Sequence, residues 1–256
     1  MNNYEKLKND IYKALEIDLN AYKEQQMRRR INQWLDRHRL KSYDELIDMI
    51  RKDQTHKENF TKYLTINTSN FFRDVNVFKE IEEKVLPAIG KNNRPRIWSA
   101  GASIGAEIYS IVILLAELGI RPSMLLATDI DEIILQKARD GIYLNNQMNG
   151  IKDEYKDKYF KQLEDGSWAI TPKIKTQVKF EKHNLLKDNF QRSFDLILCR
   201  NVFIYFTSAT QSELIRKFVL SLKPQGYFIV GSAEQIMDPN AYNLSRVSYC
   251  IYQKNL

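Results

Sequence analysis

The sequence predicts an α/β fold: a mostly parallel sheet with helices on both faces, preceded by a small all-α domain and carrying a small β insertion. Three observations predict it. From residue 94 onward, short apolar runs alternate with helical segments, the signature of a parallel sheet with crossover helices. Residues 1–66 have helical period, few glycines and no prolines. Between residues 141 and 177 the alternation breaks.

In the helical domain, the spacing predicts helices near 4–16, 21–39, 43–52 and 56–64. Ser42 followed by Glu45 forms a capping box that opens the third. The second carries Met27, Ile31, Trp34 and Leu35 at i, i+4, i+7 and i+8, an apolar face for a core. Arg28, Arg29, Arg30, Arg37 and Arg39 are left mostly on the wet side. A polar and aromatic segment, 67–73, then leads to a helix capped by Asp74 and ended near Pro87 and Gly90.

Beyond it, strands are predicted at 96–100, 124–128, 178–181, 194–199, 227–231 and 247–252, with helices up to Leu118, from Asp131, and over 208–222. The break holds a polar helix near 153–162 and then alternating residues around Trp168, Ile170 and Ile174, which predict a small β-hairpin. The domains expected are therefore 1–66, a linker segment and helix over 67–90, and 91–256 with an inserted subdomain at about 145–177.

The 256 residues carry 39 basic and 32 acidic side chains, a net charge of +7, with 43% hydrophobic residues. That composition excludes a disordered or fibrous chain. A membrane span needs roughly 18 consecutive apolar residues, and the most apolar stretch, 108–116, is far shorter. The first 25 residues are charged throughout, which argues against a secretory signal. Cys199 and Cys250 make neither a metal spacing nor a disulfide framework, which suits a reducing cytoplasm. His38, His56 and His183 are not spaced as metal ligands. The charge is local: residues 22–41 hold seven basic and two acidic side chains, a net +5. Such a run is either a solvated helix face or a docking face for an acidic surface.

In an open parallel sheet, ligands bind beyond the carboxyl ends of the strands, so the candidate chemistry lies there. The first strand runs into a glycine turn with Gly101 and Gly105, then Glu107. This G-x-x-x-G is not the dinucleotide G-x-G-x-x-G and is weak by itself. The second ends in Asp129, which either accepts the hydroxyls of a ribose or caps the next helix with Asp131. The fourth runs into Arg200-Asn201-Val202-Phe203-Ile204-Tyr205-Phe206. Leu222-Lys223-Pro224-Gln225-Gly226 then forms a turn before the fifth.

Together these features resemble the S-adenosylmethionine-dependent class I methyltransferases. The segments N-T-S-N-F-F-R-D (67–74), W-S-A-G-A-S-I-G-A-E-I-Y-S (98–110), A-T-D-I-D (127–131) and C-R-N-V-F-I-Y-F (199–206) are similar to the CheR family, chemotaxis methyltransferases that esterify receptor glutamates. The resemblance covers nearly the whole chain. It implies S-adenosylmethionine as cofactor, S-adenosylhomocysteine as product and no metal. It implies cofactor contacts at Asn67, Ser69, Arg73, Gly101, Glu107, Asp129, Asn184, Leu185, Arg200 and Asn201. Arg73 and Tyr205 are the expected catalytic residues, Arg73 guiding the substrate carboxylate and helping to hold the cofactor and Tyr205 orienting the carboxylate by one hydrogen bond; the alternatives are that Arg73 pairs with Asp74 or Asp129 and that Tyr205 is a core aromatic. The sequence departs from the family at Ala106 and Ile108, where Glu and Pro are usual, and at Ala102, where Cys is common; Glu107 survives.

The implied partners are the cytoplasmic helical domains of chemoreceptors, met by a monomeric cytoplasmic enzyme associated with membrane receptor arrays. No nucleic acid and no membrane insertion are implied. Arg28, Arg29, Arg30 and Arg37 then become a docking face for a glutamate-rich helix. The alternative is a nucleic-acid methyltransferase. Base methylation usually places D/N-P-P-Y/F after the fourth strand to hold a flipped base, and Arg200-Asn201-Val202-Phe203 has no proline. A non-catalytic module would not need Arg73, Glu107, Asp129 and Tyr205 together.

Overall fold

The computed structural model describes residues 3–65, 69–91 and 94–256. These fall into two compact units. The first holds the N-terminal helices together with Tyr205–Ser212, and the second holds the remainder.

The first unit contains α1 (Asn3–Leu15), α2 (Glu24–His38), α3 (Tyr43–Lys52) and α4 (Gln54–Thr65). Their apolar stripes meet: Leu7, Ile11, Met27, Ile31, Leu46, Ile50 and Phe60 are all buried. Trp34 packs on Phe60 with ring centroids 5.3 Å apart. The cap expected at α3 is there, in a modified form. Ser42 Oγ accepts the Glu45 amide at 3.2 Å, while Glu45 Oε2 reaches past Ser42 to accept the Lys41 amide at 2.8 Å. The segment entering α2 also grips the chain near residue 206. Lys23 N donates to Tyr205 O (2.9 Å), Thr207 N donates to Ala21 O (3.0 Å), and the rings of Tyr22 and Phe206 lie 4.9 Å apart.

The second unit opens with a continuous helical run, α5 (Val75–Glu80), a π-helical turn over Ile81–Val85, and α6 (Leu86–Gly90). Pro87 lacks the N–H that an interior helical residue donates, and the wider turn directly before it absorbs that interruption. Asp74 stands at the N-cap of α5 but makes no side-chain cap bond. The sequence expectation is corrected here: its carboxylate is committed to Arg200 instead.

The remaining elements are β1 (Arg96–Ala100), α7 (Ala106–Glu117), β2 (Met124–Asp129), α8 (Glu132–Asp140), β3 (Ile142–Tyr143), α9 (Asp153–Tyr159), β4 (Phe160–Gln162), β5 (Trp168–Ile170), α10 (Pro172–Lys175), β6 (Lys179–Lys182), β7 (Phe194–Cys199), α11 (Ser208–Ser221), β8 (Leu222–Val230), β9 (Leu244–Arg246) and β10 (Ile251–Lys254). The sheet order is β6-β2-β1-β7-β8-β10-β9. The pairings from β6 through β8 are parallel; β10 runs antiparallel to both β8 and β9. The central strands are buried on both faces, as a parallel sheet requires. α7 is buried around nearly its whole circumference, which accounts for the most apolar run in the chain.

Two local expectations change. Residues 247–252 were expected to form one strand, yet the chain turns there between β9 and β10, with Val247 and Tyr249 exposed. No glycine or proline marks that turn; the Arg246 guanidinium holds it by donating to the Ser248 and Tyr249 carbonyls. The hairpin expected in the insertion is two of three strands, β4 and β5, with β3 on the other side of β5. Residues 223–226 do bulge out as a turn: Leu222 pairs with Phe194 and Tyr227 with Leu196. Lys223 Nζ there lies 2.8 Å from both oxygens of buried Asp195.

Ser42→Ala should destabilise the helical unit by about 1 kcal/mol, the usual worth of an N-cap hydroxyl. Urea denaturation followed by circular dichroism measures this, and an unchanged midpoint would show that the Glu45–Lys41 bond alone holds the helix start.

Candidate active site

The carboxyl ends of β1, β2 and β7 lie at one end of the sheet, and they and the segments that follow them carry Gly101, Glu107, Asp129, Arg200 and Asn201. Gly101 follows β1 with φ +77°, and its amide and that of Ala102 both donate to Thr128 O. A Cβ on Gly101 would lie 2.6 Å from Val202 Cγ2, so only glycine lets the β1 turn and the β7 turn approach this closely. Ser103 also has a left-handed backbone (φ +50°), and its buried Oγ has no hydrogen-bond partner among the described residues.

Asp129 ends β2 and is 8% exposed. Its Oδ2 accepts the Ser103 amide at 2.9 Å and its Oδ1 the Asp131 amide at 3.1 Å. Of the two acids left open by the sequence, Asp131 is the cap of α8, accepting from Ile133 N and Ile134 N. Asp129 instead ties the glycine turn to the end of β2. Burial pushes its carboxyl up to about 6, with the backbone donors and the neighbouring Asp131 as smaller influences.

Glu107 opens α7. Its Oε1 accepts from Ser99 Oγ at 2.8 Å and its Oε2 from Arg200 Nη1 at 3.2 Å. The Arg200 side chain, 2% exposed, also donates through Nη2 to Asp74 Oδ2 (2.7 Å) and to the Arg73 carbonyl (2.9 Å), and its guanidinium lies 5.4 Å from the Phe78 ring centroid. Arg200 was expected against a ligand; in the structure its terminal nitrogens are committed to acceptors of the protein. Asn201 follows with φ +61°, and its amide donates to Glu234 Oε2 at 2.6 Å.

The other predicted residues are less concentrated. Arg73 is exposed and Ser69 half-buried, on the stretch leading into α5. Asn67 lies outside the described residues. Phe71 and Phe72 are both core: Phe71 meets Tyr143 and Phe160 edge-on, and the Phe72 amide donates to Ser110 Oγ at 3.0 Å. Asn184 begins the turn after β6, its Oδ1 accepting the Leu186 amide, with Leu185 half-buried beside it. Tyr205 falls in the first unit, where its carbonyl accepts from Lys23 N.

The basic face of α2 is only partly free. Arg28 pairs with Glu24 at 2.9 Å and lies over the Tyr4 ring. Arg30 is half-buried, donates to the Tyr63 carbonyl and lies over the Tyr63 ring, so the expectation that it stands on the wet side is corrected. Arg29 and Arg37 are exposed, with Arg37 reaching to 5.4 Å from the Tyr63 ring centroid.

Sequence reasoning missed Ser99, Ser103 and Glu234. Glu234 carried a visible signal, an acid shortly after the apolar end of β8. The two serines had none, because their importance lies in what they face.

Comparison with known proteins matches this arrangement to one family. Residues 67–250 match the family model described as CheR methyltransferase, SAM binding domain, and residues 2–65 the CheR methyltransferase, all-alpha domain. A chemotaxis protein methyltransferase of Listeria monocytogenes is 35% identical over 247 residues, covering 95% of this chain and 94% of that protein. One from Listeria innocua is 34% identical with the same coverage. One from Borreliella burgdorferi is 32% identical over 260 residues, covering 96% and 91%.

The site residues fit S-adenosylmethionine. Carboxylates at the ends of the strands can accept its hydroxyl and ammonium donors, and the buried orphan hydroxyl of Ser103 sits in the same glycine turn.

Replacing Arg200 with Met should cost about 3–5 kcal/mol, because Glu107 and Asp74 would lose their shared cation. Chemical denaturation measures this. A loss under about 1 kcal/mol, the worth of an exposed pair, would show that solvent compensates the cluster.

Proposed function

Because the chain belongs to the CheR methyltransferase family, we propose that it methylates glutamate side-chain carboxylates of chemoreceptors, forming methyl esters for sensory adaptation. The observation that carries this reading is the gathering of Glu107, Asp129, Arg200 and Asn201 at one end of the parallel sheet, in a chain matched by both family domains. The relatives, all chemotaxis protein methyltransferases, support a substrate in that system.

When bound, S-adenosylmethionine supplies an electrophilic methyl group on a sulfonium. Glu107, Asp129, Asn201, Asn184, Leu185 and Ser69 are the described residues proposed to hold it, with Asn67 from the motif; Gly101 keeps the backbone low enough to admit it. Arg200 acts through Glu107 and the 73–74 turn. The acceptor needs no general base, since a glutamate with a pKa near 4.3 is ionised at pH 7. The protein's task is therefore alignment and exclusion of water. Arg73 guides the substrate carboxylate by charge, and Tyr205 orients it with one hydrogen bond. A stronger set of donors would over-stabilise the nucleophile before reaction.

The receptor partner is proposed to be a glutamate-rich helix of the cytoplasmic domain, met by the exposed basic side chains of α2. Arg29 and Arg37 are the best placed, since Arg28 and Arg30 already serve the helical unit. An enzyme acting there would associate with receptor arrays at the membrane surface. No helix among the described residues is long and apolar enough to cross a membrane.

The direct test is methyl transfer to purified receptor cytoplasmic fragments, with glutamine at the acceptor positions as control. Labelled methyl should enter only glutamate-bearing fragments and be released by mild base, as an ester is. Arg73→Ala should lower turnover at least about a hundredfold, as lost orientation does, with little change in unfolding midpoint; near-wild-type turnover would remove Arg73 from the mechanism.

Charge reversal at Arg29 and Arg37 should weaken receptor binding at low salt and abolish most of its salt dependence. Unchanged affinity by surface plasmon resonance would rule out this docking face.

The environment of Asp129 gives a pH expectation. Its folded pKa of about 6 exceeds the free value, so the free protein keeps the proton while an unfolded chain releases it, and this group favours the fold less as pH rises from 3.8 toward 6. Ribose hydroxyls donate to the ionised form and favour it. Affinity for S-adenosylhomocysteine should therefore fall as pH drops below about 6, by at most about tenfold per unit for one proton. Asp129→Asn should flatten that profile in calorimetric titrations; a profile that persists would assign the proton to another group.

A further inference from the structure

The turn after β7 is held from behind by one carboxylate. Glu234, 8% exposed, lies four residues beyond the end of β8. Its Oε2 accepts the amides of Asn201 (2.6 Å) and Gly231 (2.7 Å), and its Oε1 accepts that of Ile204 (3.1 Å). Among the described residues no Lys or Arg forms an ion pair with it; backbone N–H groups alone compensate its charge, as in an anion-binding nest. Burial raises its pKa, opposed by these backbone donors.

The packing around this carboxylate leaves no slack. A Cβ on Gly231 would stand 2.5 Å from Glu234 Oε2 and 2.9 Å from Asn201 N. Asn201 is in the left-handed region at φ +61°, which asparagine adopts more readily than other non-glycine residues, and the Glu234 bond to its amide holds it there. The next residue, Val202, is the one that would meet a Cβ on Gly101. The carboxylate thus fixes the backbone at Asn201, and the neighbouring residue sets the β7 turn against the glycine turn.

We infer that Glu234 is a positioning residue for cofactor binding: its carboxylate anchors the Asn201 and Ile204 amides and so places the Arg200–Asn201 turn beside the Gly101 turn. The inference rests on the proposed role of Asn201 in the cofactor site. Glu234 does not itself contact the reacting groups. A carboxamide cannot replace it fully, because an NH₂ group would face backbone donors on one side where the carboxylate accepts on both.

The test compares Glu234→Gln, Glu234→Asp and Asn201→Ala in the full chain, by calorimetry with S-adenosylhomocysteine and by kinetics with a receptor fragment. Glu234→Gln should raise the Kd for S-adenosylhomocysteine by about tenfold or more, the scale of one charge-assisted hydrogen bond. The KM for the receptor fragment should stay near that of the wild type. Glu234→Asp, which keeps the charge, should recover part of the affinity. A Kd unchanged in Glu234→Gln, with only the unfolding midpoint lowered, would overturn the inference and leave a purely structural carboxylate. If Glu234→Gln does not fold, the same constants are read on Glu234→Asp, where an unchanged Kd overturns it equally. Normal binding by Asn201→Ala would instead refute the role of Asn201, an outcome separable from the behaviour of the Glu234 variants.

Discussion

A guanidinium with a side chain 2% exposed has lost nearly all its water, and the two terminal nitrogens of Arg200 recover part of that loss from three acceptors on two segments far apart in sequence, while its buried Nε has no partner among the described residues. Asp74 and the Arg73 carbonyl lie at the start of α5, and Glu107 lies at the start of α7. Displacing any of them weakens the compensation of a buried charge, so the end of β7, the 73–74 turn and the first turn of α7 are tied into one corner. The corner also fixes the main chain from which the Arg73 side chain projects. Its own side chain remains exposed, in keeping with a role in meeting a carboxylate that arrives from outside.

Backbone amides complete the same end of the sheet. Asp129 holds the glycine turn through the Ser103 amide, and Glu234 joins the β7 turn, through the Asn201 and Ile204 amides, to Gly231 at the end of β8. Both acids are buried and both are pushed upward in pKa by that burial. Left-handed backbone at Ser103 and Asn201 lies directly against them. Such conformations cost free energy and are kept where a site needs them. Acids that accept from main chain, with one arginine among them, leave an environment of acceptor character, suited to a ligand bearing cationic and hydroxyl groups and unlike a phosphate cradle.

The legibility of the chain varied with the kind of interaction. Periodicity located α2, and Met27, Ile31 and Trp34 are buried as their spacing requires. The same spacing could not tell that Arg28 would lie over Tyr4 or that Arg30 would reach Tyr63, since partners from α1 and α4 are not encoded in one helix. The strands β1, β2 and β7 were readable as buried apolar runs. The hairpin of β9 and β10 was not, because a side chain holds its turn where glycine or proline would have announced one.

Local sequence determined the main helices and the central strands, where the glycine turn lies, and that acids stand at strand ends, because these follow from short-range sterics and apolar periodicity. The motifs 67–74, 98–110, 127–131 and 199–206 also carried the family. Tertiary structure decided which acid does what. Asp131 caps a helix while Asp129 clasps a turn, Asp74 leaves its own helix for Arg200, and Glu234 reaches back to Asn201. These choices depend on which donor is nearest once water is excluded, and that is settled only when strands distant in sequence have paired.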